Sequence, residues 1–158
     1  MSTADVILPA EAAASAADVI LPAEAGIAFA DSAKALDDER DLLTRYFDGL
    51  YRSDAELLAT VFHPAAVYAT ATEGTLTRLS MPEYLRIVAA RESPESRGEA
   101  RTDGIESIAF AGPVTALARV RCSIDQRRFT DLLSLVRVDD RWQIVAKVFH
   151  FDLHPKGS

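Results

Sequence analysis

Asp131 and His150 are the side chains of this 158-residue chain whose types and spacing best suit proton transfer. Both lie in the stretch Arg128 to His150, RFTDLLSLVRVDDRWQIVAKVFH. Apolar residues recur there at every second position, and Asp139-Asp140 interrupts the alternation where a two-residue turn belongs, so the stretch reads as a β-hairpin. Pairing Val138 with Arg141 across that turn sets Asp131 opposite Val148 and Phe129 opposite His150. Asp131 and His150 then share one face, a diagonal step apart. A carboxylate beside an imidazole can do general acid–base work, with Asp131 orienting His150 or raising its basicity. The alternative is an anchor: a carboxylate on an apolar face that accepts a hydrogen bond from a helix end or a tyrosine.

The elements that must position this pair follow from periodicity. Leu42, Leu43, Tyr46, Phe47 and Leu50 have helical spacing and predict a core helix from about Asp37 to Tyr51. Ser53-Asp54-Ala55-Glu56 reads as a capping box opening a second helix, which His63-Pro64 stops. Val67 to Thr72 reads as a strand. Ser80-Met81-Pro82-Glu83 is a second capping box, with Met81, Tyr84, Leu85, Val88 and Ala89 on one side of its helix. Glu92 to Asp103 is polar, holds Pro94 and Gly98, and reads as a loop. Strands are expected over Gly104–Ala111 and Val114–Ile124, followed by the hairpin. The class is α+β: a curved antiparallel sheet with about three helices packed on its concave face.

This order of elements resembles the nuclear transport factor two-like superfamily, whose members fold as a cone. Within it, YFDGLYRSDAELLATVFHPAAVY and RFTDLLSLVRVDDRWQIVAKVFH are similar to the group labelled putative lumazine-binding, close to the SnoaL-like proteins. The resemblance covers roughly Asp37 to Phe151. It implies a pocket inside the cone, a sheet-to-sheet dimer, and enzymes that place an Asp or a His–Asp pair in the cone. It does not choose an activity, because this fold hosts isomerases, dehydratases, cyclases, hydrolases and binding domains alike.

With Asp125-Gln126 as the preceding turn, Val120 falls opposite Asp131. The expected inner face carries Ala116, Ala118, Val120, Cys122, Phe129, Asp131, Leu133, Leu135, Trp142, Ile144, Ala146, Val148 and His150. The outer face carries Arg119, Arg121, Thr130, Leu132, Ser134, Gln143, Val145, Lys147 and Phe149. One residue of slippage would exchange the faces of a strand. The expected pocket is lined by Tyr46, Phe62, Tyr68, Tyr84, Val120, Phe129 and Trp142. Leu132, Val145 and Phe149 beside Arg119 and Lys147 suggest a homodimer through the outer face. Cys122 reads as an inert packed thiol and His63 as a helix-end cap. His150, Asp152 and His154 alternate in a way that could hold zinc, but no fourth ligand is evident, so no metal is expected. Phosphate loops, paired cysteines and a nucleophile elbow are absent from the sequence, and no cofactor is expected.

The ends divide from this body. Residues 1–35 repeat ADVILPAEA at Ala4–Ala12 and Ala17–Ala25 and hold five acids against one base, four of the chain's seven net negative charges. Pro9 and Pro22 argue against one continuous helix there. The segment reads as a duplicated leader contributing little to the fold, or else as an arm whose VIL triplets dock on a neighbour. The expected domain spans 36–153, with 154–158 as a C-terminal tail. The net charge of −7 excludes nucleic acid and anionic membranes as natural partners. With no apolar span, no signal-peptide start and one cysteine, a cytoplasmic protein is expected. Two functions fit: a pocket protein binding a mostly apolar small organic molecule, or a cofactor-free isomerase, dehydratase or cyclase acting through Asp131 and His150.

Overall fold

The computed structural model describes residues 22–155, and of residues 22–32 the backbone alone. The first ADVILPAEA copy, most of the second, and residues 156–158 lie outside the described residues, as does the docking expected of the VIL triplets. From Ala35 onward the chain forms one compact unit.

Helix α1 (Pro22–Arg52) starts earlier than the periodicity predicts. Leu42, Leu43, Tyr46, Phe47 and Leu50 are buried as expected. Gly49 lets the next helix approach: a Cβ there would lie 2.6 Å from Leu58 Cδ2. Helix α2 (Ala55–Val61) is capped by Asp54, whose carboxylate accepts from Leu57 N–H at 3.0 Å. The cap is thus one residue later than expected; Ser53, at φ 50°, makes the turn out of α1. Helix α3 (Met81–Ala90) has the predicted capping box, Ser80 and Glu83 each accepting from the other's backbone N–H.

Six strands form one unclosed, cone-like sheet with the helices against one face. They are β1 (Phe62–Thr70), β2 (Thr77–Ser80), β3 (Gly104–Phe110), β4 (Thr115–Ile124), β5 (Arg127–Val138) and β6 (Arg141–Leu153), in the spatial order β2-β1-β6-β5-β4-β3. The short edge strand β2 has too few residues to show alternation and is not legible in the sequence. The sheet is mixed: β1 lies parallel to β6, and the other neighbours are antiparallel. His63-Pro64 does not close α2; it sits in an irregular stretch of β1, where His63 Nδ1 accepts from Ala65 N–H at 3.0 Å.

The β4–β5 register is as predicted, from Ile124 opposite Arg127 through Val120 opposite Asp131. Asp139 and Asp140 form the β5–β6 turn, both at positive φ (51° and 59°), as a two-residue hairpin turn requires. The β5–β6 register is as predicted only as far as Leu135 opposite Ile144. Val145 is then an extra residue, so that Ser134 pairs with Ala146 and Asp131 with Phe149 rather than Val148. A bulge of this kind bends a strand and re-aims every side chain beyond it. Lys147, Phe149 and Phe151 turn inward and are buried, while Val148 and His150 turn outward and are exposed.

Candidate functional site

Asp131 sits at the centre of β5 and is fully buried. Tyr46, projecting from α1, donates its hydroxyl to Asp131 Oδ2 at 2.6 Å. Lys147 Nζ lies 3.9 Å from the same oxygen. Its ammonium is enclosed by five rings, those of Tyr46, Tyr68, Tyr84, Phe129 and Phe149, with centroids 5.2–5.9 Å away. Aromatic faces attract a cation at such distances, and more strongly when water is excluded. Tyr84 Oη is 3.4 Å from Lys147 Nζ, and the Tyr68 and Tyr84 rings stack at 4.7 Å. Asp131 Oδ1 is buried without a hydrogen-bond partner.

The electrostatics follow from this geometry. Burial, the largest single effect, pulls the Lys147 pKa down, but Asp131 together with Tyr84, Cys122 and Tyr68 outweighs it and the net shift is upward, so Lys147 remains an ammonium at neutral pH. Burial, followed by the Asp131 charge, pushes the Tyr46 hydroxyl well above the ordinary phenol range and keeps it a donor. Burial also raises Tyr68, with Lys147 and Arg91 each pulling the other way. Cys122, pushed by burial to about 12, is no nucleophile.

Beside this cluster opens a cavity of about 500 Å³. Tyr68, Tyr84, Phe129 and Lys147 line it, with Arg91 from the end of α3, Arg97 from the following loop, and Arg127 from the start of β5. The loop is fastened to α1: Glu95 N–H donates to the Tyr51 carbonyl at 3.0 Å, and Tyr51 Oη donates to the Glu99 carbonyl at 2.7 Å.

The structure thus gathers some expected residues and separates others. Tyr68, Tyr84 and Phe129 line the cavity as expected. Tyr46, Phe62, Val120 and Trp142 do not; they are buried in the core. Phe62 packs edge-on between Tyr46 and Tyr84, and Trp142 meets Phe110 near the hairpin turn. The expected proximity of Asp131 and His150 is overturned by the Val145 bulge. His150 lies on the exposed face, 3.1 Å from both Thr72 Oγ1 and Asp152 Oδ1. His150, Asp152 and His154 do not converge: among the described residues no three His, Cys, Asp or Glu side chains are grouped to hold a metal. Asp131 instead takes the anchoring role, with a tyrosine as its donor. Lys147 and Arg91 were missed. For Lys147 the signal is a second alternation, Lys147-Phe149-Phe151, which competes with Ala146-Val148-His150 for the interior.

No curated protein matches this chain. Among solved structures, a nuclear transport factor two-like protein of unknown function from Shewanella baltica aligns with TM-score 0.69 and 22% identity, over 78% of this chain and 97% of that one. A similar protein from Silicibacter pomeroyi, also of unknown function, aligns with TM-score 0.66 and 21% identity, over 77% and 98%. A protein from Novosphingobium aromaticivorans described as "Putative Scytalone Dehydratase" aligns with TM-score 0.59 and 13% identity, over 82% and 98%. At these identities the likeness establishes the fold. The family model described as "Putative lumazine-binding" matches residues 35–150, and the chain belongs to that family.

Proposed function

We propose that this chain is a small-molecule pocket protein that holds an organic ligand in the cavity beside Lys147. The observation that carries this is the cavity of about 500 Å³ with Tyr68, Tyr84, Phe129 and Lys147 in its wall, within the size range of small-molecule sites. Asp131 and Tyr46 hold Lys147 from behind, and aromatic rings offer flat apolar surface to the ligand. The family's description and its fold support the reading. Native mass spectrometry of the purified full-length chain tests it: an adduct of small-molecule mass should appear and be lost in Phe129→Trp, which fills the cavity. An empty wild-type protein that also binds nothing from a library of aromatic compounds sinks the idea.

Turnover is a second reading, favoured by Tyr84 Oη at 3.4 Å from the Lys147 ammonium. A phenol so placed can donate a proton to a developing oxyanion. A cofactor-free isomerase, dehydratase or cyclase would therefore act through Tyr84 and Lys147, not through an Asp131–His150 pair. The "Putative Scytalone Dehydratase" neighbour supports that chemistry.

A homodimer belongs to the same proposal. The bulge removes Lys147 and Phe149 from the outer face and brings Val148 to it. Leu132 lies between Arg119 and Val148 in one row, and Leu117, Leu132 and Val148 are all exposed. Such an apolar row suits a second copy of the sheet. Light scattering should give twice the chain mass at micromolar concentration, and Leu132→Lys should halve it. No helix among the described residues is long and apolar enough to cross a membrane. The buried free thiol of Cys122 suits the reducing cytoplasm.

A further inference from the structure

Arg91 is a cavity cation with a buried, unpaired nitrogen. It follows the last turn of α3, and its Nε–H reaches Ser53 Oγ at 3.4 Å. Its Nη2 is buried and has no hydrogen-bond partner. A buried guanidinium N–H without an acceptor is costly, and native proteins rarely leave one so. The other cavity cations are better satisfied. Arg97 donates from Nη2 and Nε to the same oxygen of Glu99, Oε2, at 2.7 and 2.8 Å. Lys147 has Asp131, and Arg127 stacks on Phe151 at 4.8 Å.

We infer that the cavity takes an organic acid with a flat, aromatic body, its carboxylate accepting from the Arg91 guanidinium while the body lies against Tyr68, Tyr84 and Phe129. The inference rests on the pocket reading above and names the ligand's charge. The ligand it names is more polar than the mostly apolar one suggested by the sequence: the cavity wall carries Arg91, Arg97, Arg127 and Lys147 against the acids Glu92 and Asp125. Lys147 is balanced by Asp131 and Arg97 by Glu99, which leaves Arg91 and Arg127 against Glu92 and Asp125, so the anion's place rests on the unpaired Arg91 N–H rather than on net charge. A planar guanidinium matches a carboxylate geometrically, and such charge-assisted hydrogen bonds are the stronger ones. Arg91 and Lys147 both line this one cavity, with Tyr68 and Tyr84.

The test uses two probes of nearly equal shape, 2-naphthoate and the neutral 2-naphthamide, titrated into the full-length chain by calorimetry. Amide-resolved NMR locates the bound probe. Naphthoate should bind at least about tenfold more tightly than naphthamide, with perturbed signals from Tyr84, Arg91 and Phe129. Arg91→Gln should abolish that preference, bringing the two probes to similar affinities, and Arg91→Lys should keep part of it. Equal affinities at the same cavity residues overturn the anion assignment and leave the pocket reading standing. A preference that survives Arg91→Gln removes Arg91 from the role. If neither probe binds at millimolar concentration, both readings fall.

Discussion

Among the described residues two regions bury a carboxylate, and they treat the charge differently. Asp131, at the centre of the sheet, accepts from Tyr46 and lies beside the Lys147 ammonium. Glu39, on α1, is equally inaccessible, but neither of its oxygens has a hydrogen-bond partner. Burial lifts the Glu39 pKa to about 7, because nothing nearby compensates the lost hydration of the anion. The difference teaches where function resides. A paired interior carboxylate holds its neighbours in place, here the Tyr46 hydroxyl and the Lys147 ammonium. An unpaired one gives way by taking up a proton.

The largest expected effect comes from making the first region resemble the second. Lys147→Met leaves Asp131 without its cation, and should cost about 3–5 kcal/mol in urea unfolding. The double variant Asp131→Asn/Lys147→Met should recover most of that loss, since it removes both charges. A loss unchanged in the double variant would show that the pair's charges do not matter. Ile144→Val, in the apolar half of the hairpin, should cost only about 1 kcal/mol. Because the Lys147 pKa is raised by folding, its contribution is fully present below the unfolded lysine value near 10.4. It is lost as pH rises through the higher folded value, so the double variant should lack the part of the alkaline destabilisation that Lys147 adds above pH ~10.4 and keep the part due to the raised Tyr46 and Cys122 groups.

A smaller effect is expected at Glu39, with its sign set the same way. Its folded pKa of about 7 lies above the ordinary carboxylate value, so the folded chain holds the proton more tightly. That contribution is complete below pH ~4.3 and falls away as pH rises through the folded value. Glu39→Gln should therefore stabilise the chain above pH 7, by about 1–3 kcal/mol, and flatten its stability between pH 5 and pH 8. A Glu39 carboxyl titrating near pH ~4.3 by NMR would contradict this.

The smallest effects mark the edge of the site. His150→Gln should change stability by less than about 0.5 kcal/mol and leave ligand binding intact, because His150 is exposed on the outer face. The bulge can be read by thiol labelling. Ile144 and Val148 have the same parity in sequence, yet Ile144 is fully buried and Val148 is 48% exposed. In the Leu132→Lys background, which keeps the outer face uncovered, Val148→Cys should react with a maleimide at the rate of a free thiol, and Ile144→Cys should be protected, against the silent background of buried Cys122. Equal protection of the two would restore the unbulged register, and with it the Asp131–His150 pair.

Much of the fold was legible in local sequence. Apolar spacing predicted the buried stripe of α1, the Ser80–Glu83 pair predicted the start of α3, and Asp125 and Asp139-Asp140 marked turns that fix local registers. The same α1 stripe runs back through Glu39, which lies three and four residues before Leu42 and Leu43. Its burial was thus readable in principle, though a glutamate does not attract attention as a core residue.

What the sequence by itself determined is the α+β class, the family resemblance, the β4–β5 pairing, and the presence of Asp131 on an apolar face. Each depends on residues near one another in the chain, or on a pairing set by one tight turn. The tertiary structure alone decided which residues Asp131 meets. β1 lies parallel to β6 beside a bulged Val145, and that one extra residue turns Lys147 in and His150 out. Strand alternation cannot encode this, because either face of β6 offers enough apolar surface to be buried. The choice depends on what the sheet's other strands and the helices present there: Tyr46, Tyr68, Tyr84 and Phe129 around an ammonium, with Asp131 to balance it.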